Sequence, residues 1–129
     1  MQRTFESLIV QAKEASHNAY APYSKFKVGA CALFESGNIY TGCNVENSSY
    51  GLSLCAERNA LSNAIASGET SKLQAIAIVS DNMAKCAPCG ACRQWIYEFS
   101  KDAKVILEDN NGKICSYTIE ELLPLAFIL

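Results

Sequence analysis

The sequence predicts an α/β fold, a three-layer α-β-α sandwich around a five-stranded mixed sheet, in a single domain spanning residues 1–129. The first observation is the order of patterns, in which segments of helical periodicity alternate with short apolar runs typical of strands. The second is composition, because half of the 129 residues are hydrophobic and can fill a core without disulfides. No internal repeat or linker divides the chain.

The first third of the chain predicts one helix and two strands. Apolar residues recur at helical spacing from Phe5 to Ala19 and stop before Ala21-Pro22, where proline discourages a helix. The run from Phe26 to Phe34 is apolar at odd and even positions alike, which predicts a strand covered on both faces. Ser36-Gly37-Asn38 predicts a tight turn into a second strand, Ile39 to Cys43.

The middle of the chain predicts a second helix with Ser53 as its N-cap and Gly68 as its C-cap. Cys55 would then lie in the first turn of this helix. One helix face carries the apolar residues that we expect to be buried: Ala60, Leu61, Ala64 and Ile65. A buried third strand, Gln74 to Val79, follows.

The last third predicts a third helix after Pro88, with Ile96 and Phe99 directed inward. Two strands, 104–108 and 114–118, flank the turn residues 109–112, and a short helix follows at 120–123. We expect a crossover through the third helix to join the third and fourth strands. Two helix starts would then meet on one side of the sheet.

Composition narrows the partners that we expect. The formal net charge of -2 gives no general attraction to phosphate backbones, so we expect a small-molecule substrate and no nucleic acid. No apolar stretch is long enough to span a bilayer, and Met1 to Thr4 lead directly into the first helix without a leader pattern. We therefore expect a cytoplasmic protein whose seven cysteines are reduced.

Three cysteines have the spacing of a metal site. Cys89 and Cys92 form a C-x-x-C pair at the start of the third helix, and Cys55 lies at the start of the second. A helix N-terminus lowers the pKa of a thiol and favours metal binding. Three protein ligands on Zn²⁺ leave a position for water, as catalytic sites do, so we expect one zinc ion per chain.

A carboxylate and a guanidinium accompany the cysteines. Glu57 follows Cys55 by two residues, close enough to exchange protons at the site without binding the metal. Arg58 is next, and a guanidinium that donates to a thiolate would offset the negative charge of three sulfurs. This pattern indicates a catalytic zinc site with Glu57 as the proton carrier.

Cys55-Ala56-Glu57, followed by the run Pro88 to Gln94, resembles the signature of the small homotetrameric zinc-dependent cytidine deaminases. The resemblance covers nearly the whole chain and includes the segments 20–30, 42–47 and 121–127. It implies the cytidine deaminase-like form of the predicted fold. It also implies a hydrolase that uses zinc-activated water at C4 of free cytidine or deoxycytidine, in pyrimidine salvage, with Glu57 as proton shuttle.

The same resemblance implies the substrate contacts. The residues matching Asn44 and Glu46 hold the ribose hydroxyls, the one matching Phe26 packs on the nucleoside, and the backbone amide of Ala56 contacts the base. The segment that ends at Tyr50 is of the nucleoside-binding type. The residue matching Phe127 comes from a neighbouring subunit, which implies a homotetramer with shared active sites. At position 125 the chain has Leu where the family pattern has Gly.

Other interpretations remain open at this point. A structural zinc module could use Cys86 as a fourth ligand, and the same cysteines superficially resemble an iron-sulfur motif. A redox C-x-x-C would explain neither Cys55 nor Glu57. A blasticidin-type deaminase would keep the chemistry and change the substrate. We expect the remaining thiols and the one histidine to be structural or exposed: Cys31, Cys43, Cys115 and His17.

Overall fold

The computed structural model of the chain describes residues 4–129. The segment Met1 to Thr4, for which the sequence predicts no leader, therefore lies outside the described residues except for Thr4. Helices and strands follow one another in the predicted order, with one 3-10 turn, Tyr50–Leu52, ahead of the second helix. Their bounds are α1 Phe5–Ser16, β1 Val28–Phe34, β2 Ile39–Cys43, α2 Ala56–Ala66, β3 Leu73–Ser80, α3 Gly90–Phe99, β4 Lys104–Glu108, β5 Ile114–Thr118 and α4 Ile119–Leu122.

The five strands form one mixed sheet in the order β2-β1-β3-β4-β5. β3 and β4 are parallel and the other neighbouring pairs are antiparallel, so the predicted mixed sheet is confirmed. α1 packs on one face, where its buried residues meet alternate residues of β1, β3 and β4. The buried residues of α2 and α3 pack on the other face of the sheet. The predicted three-layer sandwich is therefore confirmed.

The first helix is shorter than its apolar pattern. α1 begins after Thr4, whose side chain forms a reciprocal cap with Ser7. It ends at Ser16, and Ala19 lies beyond it because the chain leaves the helix through a turn in which the Ala19 amide donates to the Ser16 carbonyl, 3.1 Å away. Leu8, one of its inward residues, is completely buried.

The ends of α2 correct the predicted caps. Cys55 is the N-cap rather than a first-turn residue, and Ser53 instead accepts a hydrogen bond from the Asn47 amide at 3.0 Å. Ser67 is the C-cap, and Gly68 follows it with a φ of +89°. Ile65 was predicted to face inward but is 54% exposed, so the buried face of this helix ends at Ala64.

The third helix lies on the face of the sheet that carries the site, and the C-terminal tail follows the short helix α4. Ile96 of α3 is completely buried and Phe99 is partly buried, as predicted. After α4 the chain continues to Leu129 without regular secondary structure, and Arg93 holds the end of α4 through a 2.9 Å bond to the Leu122 carbonyl. Within residues 4–129, none of the helices combines the length and apolar character needed to cross a bilayer.

Candidate active site

A cavity of about 560 Å³ opens where the start of α2 approaches the segment before α3. Its walls come from the loop after α1, the residues that follow β2 and the 3-10 turn. The lining residues are Tyr23, Ser24, Phe26, Val28, Asn44, Glu46, Tyr50, Ser53, Leu54, Cys55, Ala56, Glu57, Cys86, Ala87 and Cys89. The cavity volume is within the range of small-molecule sites.

Three thiols converge at one end of this cavity. The Sγ atoms of Cys55, Cys89 and Cys92 lie within 4.8 Å of one another. Cys55 is the N-cap of α2, Cys89 is the N-cap of α3, and Cys92 is in the first turn of α3. Zinc binds thiolates at about 2.3 Å in tetrahedral geometry, so three sulfurs this close can share one ion. The predicted convergence of the thiols is confirmed, and their chemistry fits zinc.

The surroundings of Cys55 favour its thiolate. The pKa of Cys55 is lowered to about 5, first by a hydrogen bond from Cys92 and then by the Arg58 guanidinium. Arg58 Nη2 lies 3.4 Å from Cys55 Sγ. The pKa of Cys92 is raised in turn, because its thiol donates to Cys55 and is buried. A metal ion that binds these sulfurs would displace the shared proton.

Glu57 is a buried carboxylate beside the thiols. It is the second residue of α2, is only 4% exposed and lines the cavity. Burial raises the pKa of Glu57 to about 7, and the neighbouring Cys55 thiolate adds to the shift. The carboxyl group can therefore hold or release a proton inside the cavity near neutral pH.

Five of the predicted substrate residues line the same cavity. Phe26, Asn44, Glu46, Tyr50 and Ala56 all line the cavity. The Glu46 carboxylate accepts the backbone amides of residues 23 and 24 at 3.0 and 3.1 Å and also the hydroxyl of residue 24. These bonds lower the pKa of Glu46.

Asn44 links the cavity wall to β1. Its Oδ1 accepts the Val28 amide at 2.8 Å, and its Nδ2 donates to the Phe26 carbonyl at 2.7 Å. One amide hydrogen and one lone pair of the side chain remain for a ligand. Asn44 therefore has a structural role beside the one that the sequence predicted.

The comparisons with known proteins agree with this geometry. Residues 2–108 match the family model described as cytidine and deoxycytidylate deaminase zinc-binding region. The chain belongs to this family. It is 48% identical over 123 residues to the cytidine deaminase of Sporosarcina psychrophila, covering 95% of this chain and 90% of the relative. Zinc, the metal of this family, is therefore its cofactor.

Solved structures of the family have the same fold. The crystal structure of cytidine deaminase from Burkholderia pseudomallei is 46% identical with a TM-score of 0.89, covering 97% of this chain and 100% of that one. The corresponding structure from Mycobacterium tuberculosis is 37% identical with a TM-score of 0.87, covering 99% and 100%. The resemblance identified from the sequence motifs is confirmed.

Within this deaminase fold, Phe127 does not reach the cavity of its own chain. Its side chain is 69% exposed and is not among the lining residues. Its carbonyl accepts a 2.8 Å hydrogen bond from Gln94, which attaches the tail to α3. Leu125, where the family pattern has Gly, adopts a φ of +53°, a left-handed conformation that Gly adopts without strain.

Several residues of the cavity wall were not among the predicted site residues. Tyr23 and Ser24 lie within the matching segment 20–30 and could have been selected from it, whereas Leu54 and Ala87 carry no chemical signal. Cys86 lines the cavity but is not a member of the thiol cluster, so nothing in the described residues supports a four-cysteine structural site. Burial raises the pKa of Cys86 to about 11, which disfavours its thiolate.

Proposed function

We propose that this chain hydrolyses the 4-amino group of free cytidine and deoxycytidine, releasing ammonia and the uridine product. The observation that carries the proposal is the buried Glu57 carboxylate beside three convergent thiols on one wall of a nucleoside-sized cavity. A structural zinc module needs no buried acid at its metal, and no cavity. Family membership points to the same reaction.

In this proposal Cys55, Cys89 and Cys92 hold one zinc ion. When bound, zinc supplies Lewis acidity that makes a water molecule nucleophilic at neutral pH. Arg58, 3.4 Å from Cys55 Sγ, draws charge from that sulfur and offsets the negative charge of three thiolates. The chain's own contribution is a rigid arrangement of sulfurs at two helix starts.

Glu57 is the proposed proton carrier. It takes one proton from the attacking water and delivers it to N3 of cytosine as C4 becomes tetrahedral. It then takes the second proton of that water from the new C4 hydroxyl and passes it to the departing amine. Carbon gains oxygen and loses nitrogen, so cytidine and water become uridine and ammonia. The enclosure of Glu57 keeps bulk water away from these transfers.

Substrate choice is assigned to five further residues of the cavity lining. Asn44 and Glu46 hydrogen-bond the ribose hydroxyls, Phe26 and Tyr50 pack on the nucleoside, and the Ala56 amide contacts the base. A site that is built to bind hydroxyl groups leaves polar atoms unpaired when they are missing. Free cytosine is therefore a poor substrate.

Assembly completes the proposal. We assign a homotetramer in which Phe127 of one chain closes the cavity of another, because this ring is largely exposed on its own chain and lies outside its own cavity. Tail residues 125, 128 and 129 are also exposed and apolar, as an interface requires. The protein acts in the cytoplasm, where the three thiols stay reduced, and needs neither nucleic acid nor membrane.

An ultraviolet assay of cytidine loss on the zinc-loaded protein tests the activity. We expect turnover of cytidine and deoxycytidine and little turnover of free cytosine. Protein that contains zinc but leaves cytidine unchanged would refute the proposed reaction. Equal turnover of cytosine and cytidine would refute the assignment of Asn44 and Glu46.

A further inference from the structure

The N-terminal half of α2 lies unusually close to the edge strand β2. A Cβ added at Gly42 would lie 2.4 Å from the Ala60 nitrogen and 2.6 Å from the Ala56 carbonyl oxygen, both backbone atoms of α2. Ordinary contact begins at 3.4 Å, so only a residue without a side chain permits this approach. The Ala56 carbonyl belongs to the peptide that joins Ala56 to Glu57.

Two asparagines of α2 bond the same strand on either side of Gly42. Asn59 Nδ2 donates to the Cys43 carbonyl at 2.8 Å, and Asn63 Nδ2 donates to the Thr41 carbonyl at 3.2 Å. Thr41 and Cys43 are two residues apart on an edge strand, so their carbonyls point the same way. The side chains of α2 thus satisfy carbonyl groups that no further strand within residues 4–129 covers.

We propose that Gly42 and Asn59 are positioning residues that set how the start of α2 presents Cys55 and Glu57 to the metal. Asn59 lies one turn after Cys55, and its backbone amide also donates to the Cys55 carbonyl at 3.2 Å. Gly42 contacts the peptide directly before Glu57. Cys89 and Cys92 are carried by α3, so a shift of α2 alone changes the distances between Cys55 and the other two thiols.

The inference rests on the proposed function only in treating the three thiols as ligands of one zinc ion. A metal site depends on ligand placement, and loss of residues that orient ligands commonly weakens metal affinity. The Asn63 bond is one helical turn farther from Cys55 than the Asn59 bond, so it stabilises the fold with less effect on the metal. A positioning role therefore predicts a larger effect on metal binding from Asn59 than from Asn63, whereas a merely structural role predicts equal effects.

The test compares Asn59→Ala with its matched control Asn63→Ala, using cobalt(II) in place of zinc. The visible spectrum of cobalt bound to thiolates reports the ligand geometry, and competition with a coloured chelator gives the affinity. We expect Asn59→Ala to weaken cobalt binding by about tenfold and to change the spectrum. Asn63→Ala should keep the parent's spectrum and affinity while losing thermal stability.

Gly42→Ala and Gly29→Ala form a second pair. A Cβ at Gly29 would meet the Ala12 carbonyl oxygen of α1 at 1.9 Å, on the opposite face of the sheet from the thiols. Both substitutions should lower stability, but only Gly42→Ala should alter the cobalt spectrum. If either glycine variant fails to fold, the asparagine pair alone decides.

Unchanged spectra and affinities in Asn59→Ala, or equal changes in both asparagine variants, would overturn the positioning role. Failure of the proposed function is recognised separately. In that case the parent protein would bind cobalt through thiolates and still not deaminate cytidine. The cobalt spectra of the two asparagine variants would still test the positioning role.

Discussion

Phe127 provides the sharpest test of whether active sites are shared between chains. Two impaired proteins, Glu57→Gln and Phe127→Ala, are mixed under conditions in which subunits exchange. The first keeps an intact Phe127 and loses its own proton carrier. The second keeps Glu57 and loses an aromatic ring that is 69% exposed on its own chain and lies outside its own cavity.

The expected magnitude follows from counting sites. In random tetramers from equal amounts, half of the chains carry Glu57 and half of their neighbours carry Phe127, so about one quarter of the sites are complete. Loss of Glu57 costs about 10²- to 10⁴-fold in rate. Loss of an aromatic contact to a base costs about 1 to 3 kcal/mol, or about 5- to 150-fold. The mean activity of the unmixed parents is therefore at most about a tenth of wild type.

The assay measures initial rates of cytidine loss at low substrate concentration, before and after mixing. Subunit exchange is verified independently by mass spectrometry of differently tagged chains. Activity that rises after exchange to about one quarter of wild type supports shared sites. Activity that stays at the parents' mean despite proven exchange, or a fully active monomer, refutes the sharing and leaves the deaminase chemistry untouched.

Three further predictions concern the metal, the core and pH. Cys86→Ala should keep one zinc per chain by elemental analysis while Cys89→Ala loses it, and zinc loss from Cys86→Ala would mean a four-cysteine site. Ile96→Ala should lower the free energy of unfolding by about 2 to 5 kcal/mol in urea titrations, because the Ile96 side chain of α3 is completely buried in the core. A loss below about 1 kcal/mol would contradict its place in the core. The Glu69 carboxylate accepts two hydrogen bonds from Ser71 and one each from Ser36, Asn38 and Tyr40. The bonds from Ser71, Ser36 and Tyr40 hold the pKa of Glu69 at about 2 against the usual 4.5. Stability from Glu69 is then present above pH 4.5 and lost as the pH falls toward 2, so the melting-temperature gap between wild type and Glu69→Gln should narrow over that window; a constant gap would contradict this.

Much of the fold was predictable because its signals are local. The bounds of β2, β4 and β5 agree with the prediction, since turn residues such as Ser36-Gly37-Asn38 mark where those strands begin and end. The N-cap of α2 was not predictable in the same way. Ser53 has the better capping side chain, but Cys55 occupies the cap, where its thiol faces the other cysteines.

The site residues that were predictable from the sequence are also those with local signals. Cys55, Glu57, Cys89 and Cys92 were recognisable because each pair is close in sequence and lies at a helix start. The approach of Gly42 to α2 was not recognisable, because tertiary packing brings Gly42 against Ala56 and Ala60, which are distant from it in sequence.

The position of Leu125 was a partial signal. The family pattern has Gly there, and the φ of +53° at Leu125 supplies the physical reason. In the proposed homotetramer the tail contacts a neighbouring chain, and local sequence does not describe such a contact.

The proposed role of Glu57 as the proton carrier in a zinc-dependent deamination is tested by a paired measurement. Zinc content and cytidine turnover are determined on the same preparations of wild type and Glu57→Gln. We expect one zinc per chain in both, with turnover by Glu57→Gln lower by at least about 100-fold. Near-normal turnover by a Glu57→Gln protein that retains its zinc would show that Glu57 is not the proton carrier.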